Sequence, residues 1–90
     1  MSDVPFDLDA RWRLHPQVAV RPEPFGALLY HFGTRKLSFL KDRIILEVVR
    51  SLPEHADARH ALRAAGLPET GAYTKALAVL ANSKMLEPVS

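Results

Sequence analysis

Histidine is the residue type in this 90-residue chain best suited to acid–base or metal chemistry, and there are four: His15, His31, His55 and His60. His55 and His60 lie five residues apart, so on a helix they would point to different faces rather than to one metal ion. The chain contains no cysteine, and it has no glycine-rich phosphate loop and no nucleophile motif. The sequence therefore predicts no catalytic residue, no metal ligand and no cofactor of its own, and an enzyme is disfavoured.

Basic residues are the second group that could carry a function, through contacts with nucleic acid. Twelve Lys and Arg residues stand against ten Asp and Glu, and the net charge of +2 is too small to indicate nucleic-acid binding. A helix that enters a DNA groove should expose Arg, Lys, Asn or Gln to the bases. The corresponding helix here exposes mainly small and apolar residues: Ala72, Thr74, Lys75, Ala78, Val79 and Asn82. A winged-helix DNA-binding protein therefore stays the weaker alternative.

An exposed strand edge near an apolar helix favours a third function, the recognition of a peptide. A peptide can pair with the unpaired N–H and C=O groups of an edge strand, while pockets nearby select its side chains. We predict such an edge at Lys36–Leu40, with two cations at its mouth to attract an acidic peptide. The predicted peptide-binding residues are Arg35, Lys36, Leu37, Ser38, Phe39, Leu40, Ala72, Tyr73, Ala76 and Val79.

Three antiparallel strands are predicted to position that edge. Gln17–Arg21 is rich in β-branched residues, Phe25–Phe32 is apolar on both faces as a central strand should be, and Lys36–Leu40 is the third strand. Residues 22–24 are expected to form a connection, and Gly33 is available for positive φ in the next one. Such short connections predict a meander with the third strand at an edge.

Three helices are predicted to follow the strands. The first runs from about Asp42 to Leu52, the second from about Ala56 to Ala65, and the third from Pro68 or Thr70 to Asn82. Proline after the first helix and Gly66 after the second are typical helix ends. The residues expected to face the core are Ile44, Ile45, Val48, Val49, Leu52, Ala58, Ala61, Leu62, Ala65, Tyr73, Ala76, Leu77, Leu80 and Ala81. The predicted fold is α+β, a winged helix-turn-helix with a three-stranded antiparallel sheet followed by three helices.

The length of the chain suits one small domain. Residues 1–11, in which apolar and polar residues alternate, are predicted to form a flexible or strand-like N-terminal arm, and residues 12–90 the recognition domain. Asp7 and Asp9 of the arm are expected to meet the two cations at the mouth of the edge strand. The sequence predicts no membrane span and no signal segment, and the absence of cysteine fits a cytoplasmic protein.

Two stretches carry a family resemblance: WRLHPQVAVRPE at Trp12–Glu23 and FGALLYHFGTRKL at Phe25–Leu37. They are similar to the peptide chaperones of mycofactocin biosynthesis, and the similarity extends over about residues 10–88. More remotely, the chain resembles the pyrroloquinoline quinone peptide chaperone and the recognition domains of other systems that modify ribosomal peptides.

The resemblance implies a winged helix-turn-helix that binds a precursor peptide as a fourth strand, between the third strand and the third helix. It also implies delivery of that peptide to a radical S-adenosylmethionine maturase that acts on the peptide's terminal Val-Tyr pair. The iron–sulfur clusters and the S-adenosylmethionine would belong to that enzyme. The chain itself is expected to be a monomer or a strand-swapped dimer.

One departure from the family pattern lies where the third strand meets the first helix. Related chaperones often carry Leu-Asn-Glu there, whereas this chain has Leu40-Lys41-Asp42. Lysine cannot accept hydrogen bonds from backbone amides, so we expect Asp42 to cap the helix in its place.

Overall fold

The computed structural model describes residues 6–89, so residues 1–5 of the predicted N-terminal arm lie outside the described part of the chain. The elements of the described part follow in this order: β1 Trp12–Leu14, β2 Val18–Glu23, β3 Gly26–His31, β4 Leu37–Leu40, α1 Arg43–Ser51, α2 Ala58–Ala64, α3 Ala72–Asn82 and β5 Leu86–Pro88. A 3₁₀ turn, Leu52–Glu54, follows α1. The predicted α+β class, with a three-stranded antiparallel sheet and three helices, is confirmed.

β3 is the centre of the main sheet, whose strand order is β2-β3-β4 with antiparallel pairing throughout. Its residues Ala27, Leu29 and His31 are buried on the face that meets the helices. This confirms the central position that two apolar faces predicted. The core between the sheet and the helices consists of Ala27, Leu29, Leu40, Ile45, Leu46, Val48, Val49, Leu52, Ala58, Ala61, Leu62, Leu77, Leu80, Met85 and Leu86.

β2 continues through Pro22 and Glu23, so the expected connection at residues 22–24 is wrong in part. A bond of 2.9 Å from the Phe32 N–H to the Gln17 carbonyl sets the hydrogen-bond alternation between β2 and β3. By that alternation, the nitrogen of Pro22 points away from β3. Proline is tolerated there because its missing N–H would have no partner in the sheet.

A second, two-stranded sheet joins the beginning and the end of the domain. β1 pairs antiparallel with β5, and Trp12 lies opposite Pro88. β5 was not predicted from the sequence, since three residues are too few to show a period. We refer to this pair of strands as the ribbon.

Residues 6–11 lie against the start of α2. The N–H groups of Ala58 and Arg59 donate to the carbonyls of Ala10 and Leu8 at 3.1 and 2.9 Å. Asp9 pairs with Arg59 at 2.9 Å. The expectation that Asp9 meets the cations at the mouth of the edge strand is therefore wrong, because Asp9 pairs with Arg59 of α2.

α1 begins where the sequence predicted because Asp42 caps it. The Asp42 Oδ1 accepts the N–H of Ile45 at 2.9 Å, as expected from the change at Leu40-Lys41-Asp42. Ile44, which was expected in the core, is 46% exposed, while Leu46 is buried. Residues 44–46 are all apolar, so only the orientation of the helix on the sheet decides which of them face the core.

α2 is shorter than predicted because Asp57 caps it by accepting the His60 N–H at 2.8 Å. Gly66 follows its end with a φ of 73°, which confirms the predicted C-terminal cap. Ala65 was expected in the core but is exposed, since it lies beyond the last residue of the helix. α3 begins at Ala72, slightly later than predicted.

The β3–β4 connection takes its positive φ at Arg35 (63°) and not at Gly33, where we had expected it. The imidazole of buried His31 explains the shape of this turn. Its Nδ1 accepts the N–H groups of Gly33 and Thr34 at 3.0 and 3.1 Å. The His31 carbonyl accepts the Arg35 N–H at 2.7 Å. Among the residues that the structure describes, no helix is long and apolar enough to cross a membrane.

Candidate functional site

A groove of about 750 Å³ runs between β4 and α3. Eight of the predicted peptide-binding residues line it: Leu37, Ser38, Phe39, Leu40, Ala72, Tyr73, Ala76 and Val79. Arg35 and Lys36 do not line it, since both lie in the exposed turn before β4. The groove also contains five residues that were not predicted to bind peptide: Lys41, Asp42, Ile45, Lys75 and Leu80. Of these, Lys75 and Leu80 could have been found from helical spacing, because they lie within one turn of selected residues of α3.

The strand side of the groove is an open backbone edge. The His31 N–H donates to the Lys36 carbonyl at 3.0 Å, and this bond sets the alternation between β3 and β4. The backbone groups of Ser38 therefore point towards β3, whereas the N–H and C=O groups of Leu37 and Phe39 point away from it. In the described part of the chain no strand pairs with β4 on that outer side.

The opposite edge of the sheet offers fewer donors. By the same alternation, Val18, Val20 and Pro22 of β2 point away from β3. The Val18 N–H already donates to the His15 carbonyl at 2.9 Å, and proline has no N–H. Natural sheets commonly protect their edges in this way. β4 is therefore the edge better suited to an incoming strand.

The helix side of the groove is apolar and partly exposed. Val79 is 62% exposed and lies off the buried stripe of α3, as predicted. Leu77 and Leu80 are buried, so they hold the helix in the core. Ala72 and Ala76 have small side chains, which leaves space between α3 and β4 for the side chains of another segment.

A hydrogen bond links the two sides of the groove at one end. The Tyr73 hydroxyl donates to the Asp42 Oδ2 at 3.3 Å. Burial raises the pKa of Tyr73, and the nearby Asp42 carboxylate raises it further. The phenol therefore stays protonated and keeps its hydrogen bond well above neutral pH.

Ion pairs outside the groove fix the start of α3. Glu69 pairs with Arg63 at 2.5 Å and also with Arg59. The hydrogen bonds from Arg63 and then Arg59 lower the pKa of Glu69. The Glu69 carbonyl accepts the Thr74 hydroxyl at 2.8 Å, which ties α3 to this cluster. The position of the helix side of the groove thus depends on α2.

A second cavity of about 690 Å³ lies between the ribbon, the β3–β4 turn and the end of α3. The rings of His15 and His31 lie in it with their centres 4.4 Å apart and their planes tilted by 40°. The Nδ1 of His15 accepts the Gln17 N–H at 3.1 Å, much as His31 binds its own turn. Both imidazoles therefore support local backbone structure. Over residues 6–89, no cluster of three His, Cys, Asp or Glu side chains could hold a metal ion.

Comparison with known proteins identifies a family. Residues 11–87 match the model of the peptide chaperone MftB family. The peptide chaperone MftB of Mycobacterium ulcerans (strain Agy99) is 68% identical over 85 residues, which cover 92% of this chain and 78% of that protein. The protein of the same name from Mycolicibacterium smegmatis (strain ATCC 700084 / mc(2)155) is 64% identical over 89 residues, covering 97% and 87% of the two chains. No solved structure matches the chain significantly.

Proposed function

Because the chain belongs to the peptide chaperone MftB family, we propose that it is a non-catalytic chaperone for the mycofactocin precursor peptide. It binds this peptide as a strand added to β4 and presents it to a radical S-adenosylmethionine maturase. The open edge of β4 beside the groove is the observation that carries the proposal. An added strand would find outward backbone groups at Leu37 and Phe39, and α3 would supply the apolar wall.

The proposed fold is a winged helix-turn-helix in which α2, residues 65–71 and α3 form the helix-turn-helix. In that fold α3 would be the DNA-reading helix of a transcription factor, and this keeps DNA binding as the second candidate. Lys75 is the one cation of α3. Val79, which is 62% exposed, is apolar, whereas a base-reading helix exposes mainly polar and charged side chains. Peptide binding therefore accounts better for the exposed residues of α3. The proposed location is the cytoplasm.

Leu37→Pro tests the strand addition most directly. It removes the outward N–H of the first residue of β4, a position where proline is compatible with an edge strand. Leu37→Ala is the matched control, since it removes the same side chain but keeps the N–H. We expect the proline variant to bind the synthetic precursor peptide about fivefold more weakly than the alanine variant, which corresponds to about 1 kcal/mol for one hydrogen bond.

The comparison is made by calorimetric titration, with circular dichroism to show that both variants are folded. Equal peptide affinities of the two folded variants would contradict strand addition at β4. A parallel titration with duplex DNA tests the second candidate. DNA affinity that exceeds the peptide affinity, and that Lys75→Ala abolishes, would favour DNA binding instead.

A further inference from the structure

The face of the main sheet that points away from the helices is apolar. Phe32, Leu37 and Phe39 are 62%, 59% and 64% exposed, and Phe25 in the β2–β3 turn is 48% exposed. Phe25 and Phe39 lie with ring centres 6.4 Å apart, and Tyr30 and Phe32 meet edge to face at 5.0 Å. We call this surface the outer face. It is contiguous, because the pairing of β3 with β4 places Leu37 beside Tyr30.

The outer face continues into the edge that we propose for peptide binding. Leu37 and Phe39 project their side chains onto it, while their backbone groups point towards the groove. A strand added to β4 would extend the sheet, and alternate side chains of that strand would then stand on the same outer face. The loaded chaperone would thus present a larger surface than the empty one, made partly of peptide.

The size of the outer face suits a transient partner. An aromatic side chain buries about 150–250 Å² when it is fully covered, so three phenylalanines that are roughly half to two-thirds exposed offer about 250–450 Å². That area overlaps the range of functional patches on monomers, about 300–600 Å². It is less than the roughly 800 Å² per partner that a stable complex usually buries. A permanent dimer through this face alone is therefore disfavoured.

We propose that the outer face is the docking surface for the enzyme that receives the peptide, and that the bound peptide completes this surface. The proposal rests on the proposed function, because the enzyme and the peptide are those named there. The matching surface of the enzyme has an apolar centre. It carries acidic residues around that centre, since exposed Arg35, Lys36 and Lys41 stand at the two ends of β4. Binding of enzyme and peptide is then mutually favourable: each raises the affinity for the other by the same factor.

The double variant Phe25→Ser/Phe32→Ser tests this surface and changes no residue that lines the groove. Ile44→Ser is the matched control, because Ile44 on α1 is 46% exposed but lies on another face. The partner is the purified maturase of the same organism, immobilised for surface plasmon resonance, and the ligand is the synthetic precursor peptide. We expect the double variant to bind peptide like the wild type but to bind the enzyme at least tenfold more weakly. Ile44→Ser should bind both normally, and peptide should raise the enzyme affinity of the wild type.

Wild-type enzyme affinity in the folded double variant would overturn the proposal. A wild-type dimer in analytical ultracentrifugation that the double variant converts to monomer would also overturn it, in favour of self-association through this face. If the wild type binds the enzyme but not the peptide, the proposed function fails, and so does the peptide's contribution to the docking surface. If the wild type binds the peptide and the enzyme with no mutual effect, peptide binding stands while a surface completed by the peptide is ruled out.

Discussion

The hydroxyl of Tyr73 and the carboxylate of Asp42 join two helices across one end of the groove. Asp42 uses one carboxylate oxygen to accept the Tyr73 hydroxyl at 3.3 Å and the other to accept the Ile45 N–H at 2.9 Å. The cap of α1 and the first turn of α3 therefore depend on the same side chain. A change at either residue should alter the width of the groove at that end.

The raised pKa of Tyr73 predicts a loss of stability at alkaline pH. A group whose pKa is higher in the folded than in the unfolded state stabilises the fold below its ordinary pKa of 10.0. This contribution is lost as pH rises through the folded-state pKa. We expect the wild type to lose more free energy of unfolding than Tyr73→Phe between about pH 8 and pH 11. Urea titrations at each pH measure the free energy of unfolding of the two proteins. Parallel profiles of this free energy against pH would contradict the prediction.

The two faces of α3 predict opposite phenotypes for one kind of substitution. Val79→Asp should leave the free energy of unfolding within about 0.5 kcal/mol of wild type, because the residue is exposed. It should weaken peptide binding, since it places a charge in the apolar wall of the groove. Leu77→Asp should unfold the domain, because it buries an unpaired charge. Urea denaturation and peptide titration of both variants test this, and exchanged phenotypes would show that the peptide does not lie along Val79.

The lowered pKa of Glu69 predicts a contribution to stability that acid removes. The carboxylate stabilises the fold above its ordinary pKa of 4.5, through Arg63 first and Arg59 second. This contribution disappears as pH falls through the lower folded-state pKa. We expect Glu69→Gln to be less stable than wild type near neutral pH, and we expect this difference in the free energy of unfolding to shrink as pH falls below 4.5. Glu47→Gln, at an exposed site on α1, serves as the control and should leave the free energy of unfolding near neutral pH within about 0.5 kcal/mol of wild type. A difference between wild type and Glu69→Gln that is constant with pH would refute this.

Close backbone packing at Gly26 predicts a severe effect of one added methyl group. A Cβ there would lie 2.1 Å from the Leu40 carbonyl oxygen, and that oxygen belongs to the strand that lines the groove. We expect Gly26→Ala to cost more than about 3 kcal/mol or to prevent folding. Gly66→Ala is the comparison, because nothing lies within 4 Å of its Cβ and only the φ of 73° is unfavourable. It should cost about 1–2 kcal/mol. Thermal denaturation measures the melting temperatures of both variants. Similar melting temperatures would count against the steric argument.

The sequence predicted those parts of the fold whose signal is local. β3 was recognisable as a central strand from its two apolar faces, and Asp42 and Gly66 were recognisable as caps from their chemistry. The order of strands and helices followed from these signals. β5 could not be predicted, because its short segment becomes a strand only by pairing with β1 at the other end of the chain.

The candidate site could be predicted only in outline. The sequence indicated the edge strand and the helix beside it, because short connections and helical spacing are local properties. It could not show which amides of β4 point outward, since that depends on the turn at Arg35 and on the imidazole of His31. It also could not show that Arg35 and Lys36 lie outside the groove.

The ribbon also has a kinetic consequence. Trp12 and Pro88 are paired although almost the whole chain lies between them, so closing this contact costs the most chain entropy. We therefore expect the ribbon to form late in folding, after the sheet and helices have brought its strands together. Trp12 is the only tryptophan of the chain and stacks on Phe6 at 4.8 Å, so its fluorescence should report this late step, whereas circular dichroism reports the earlier ones.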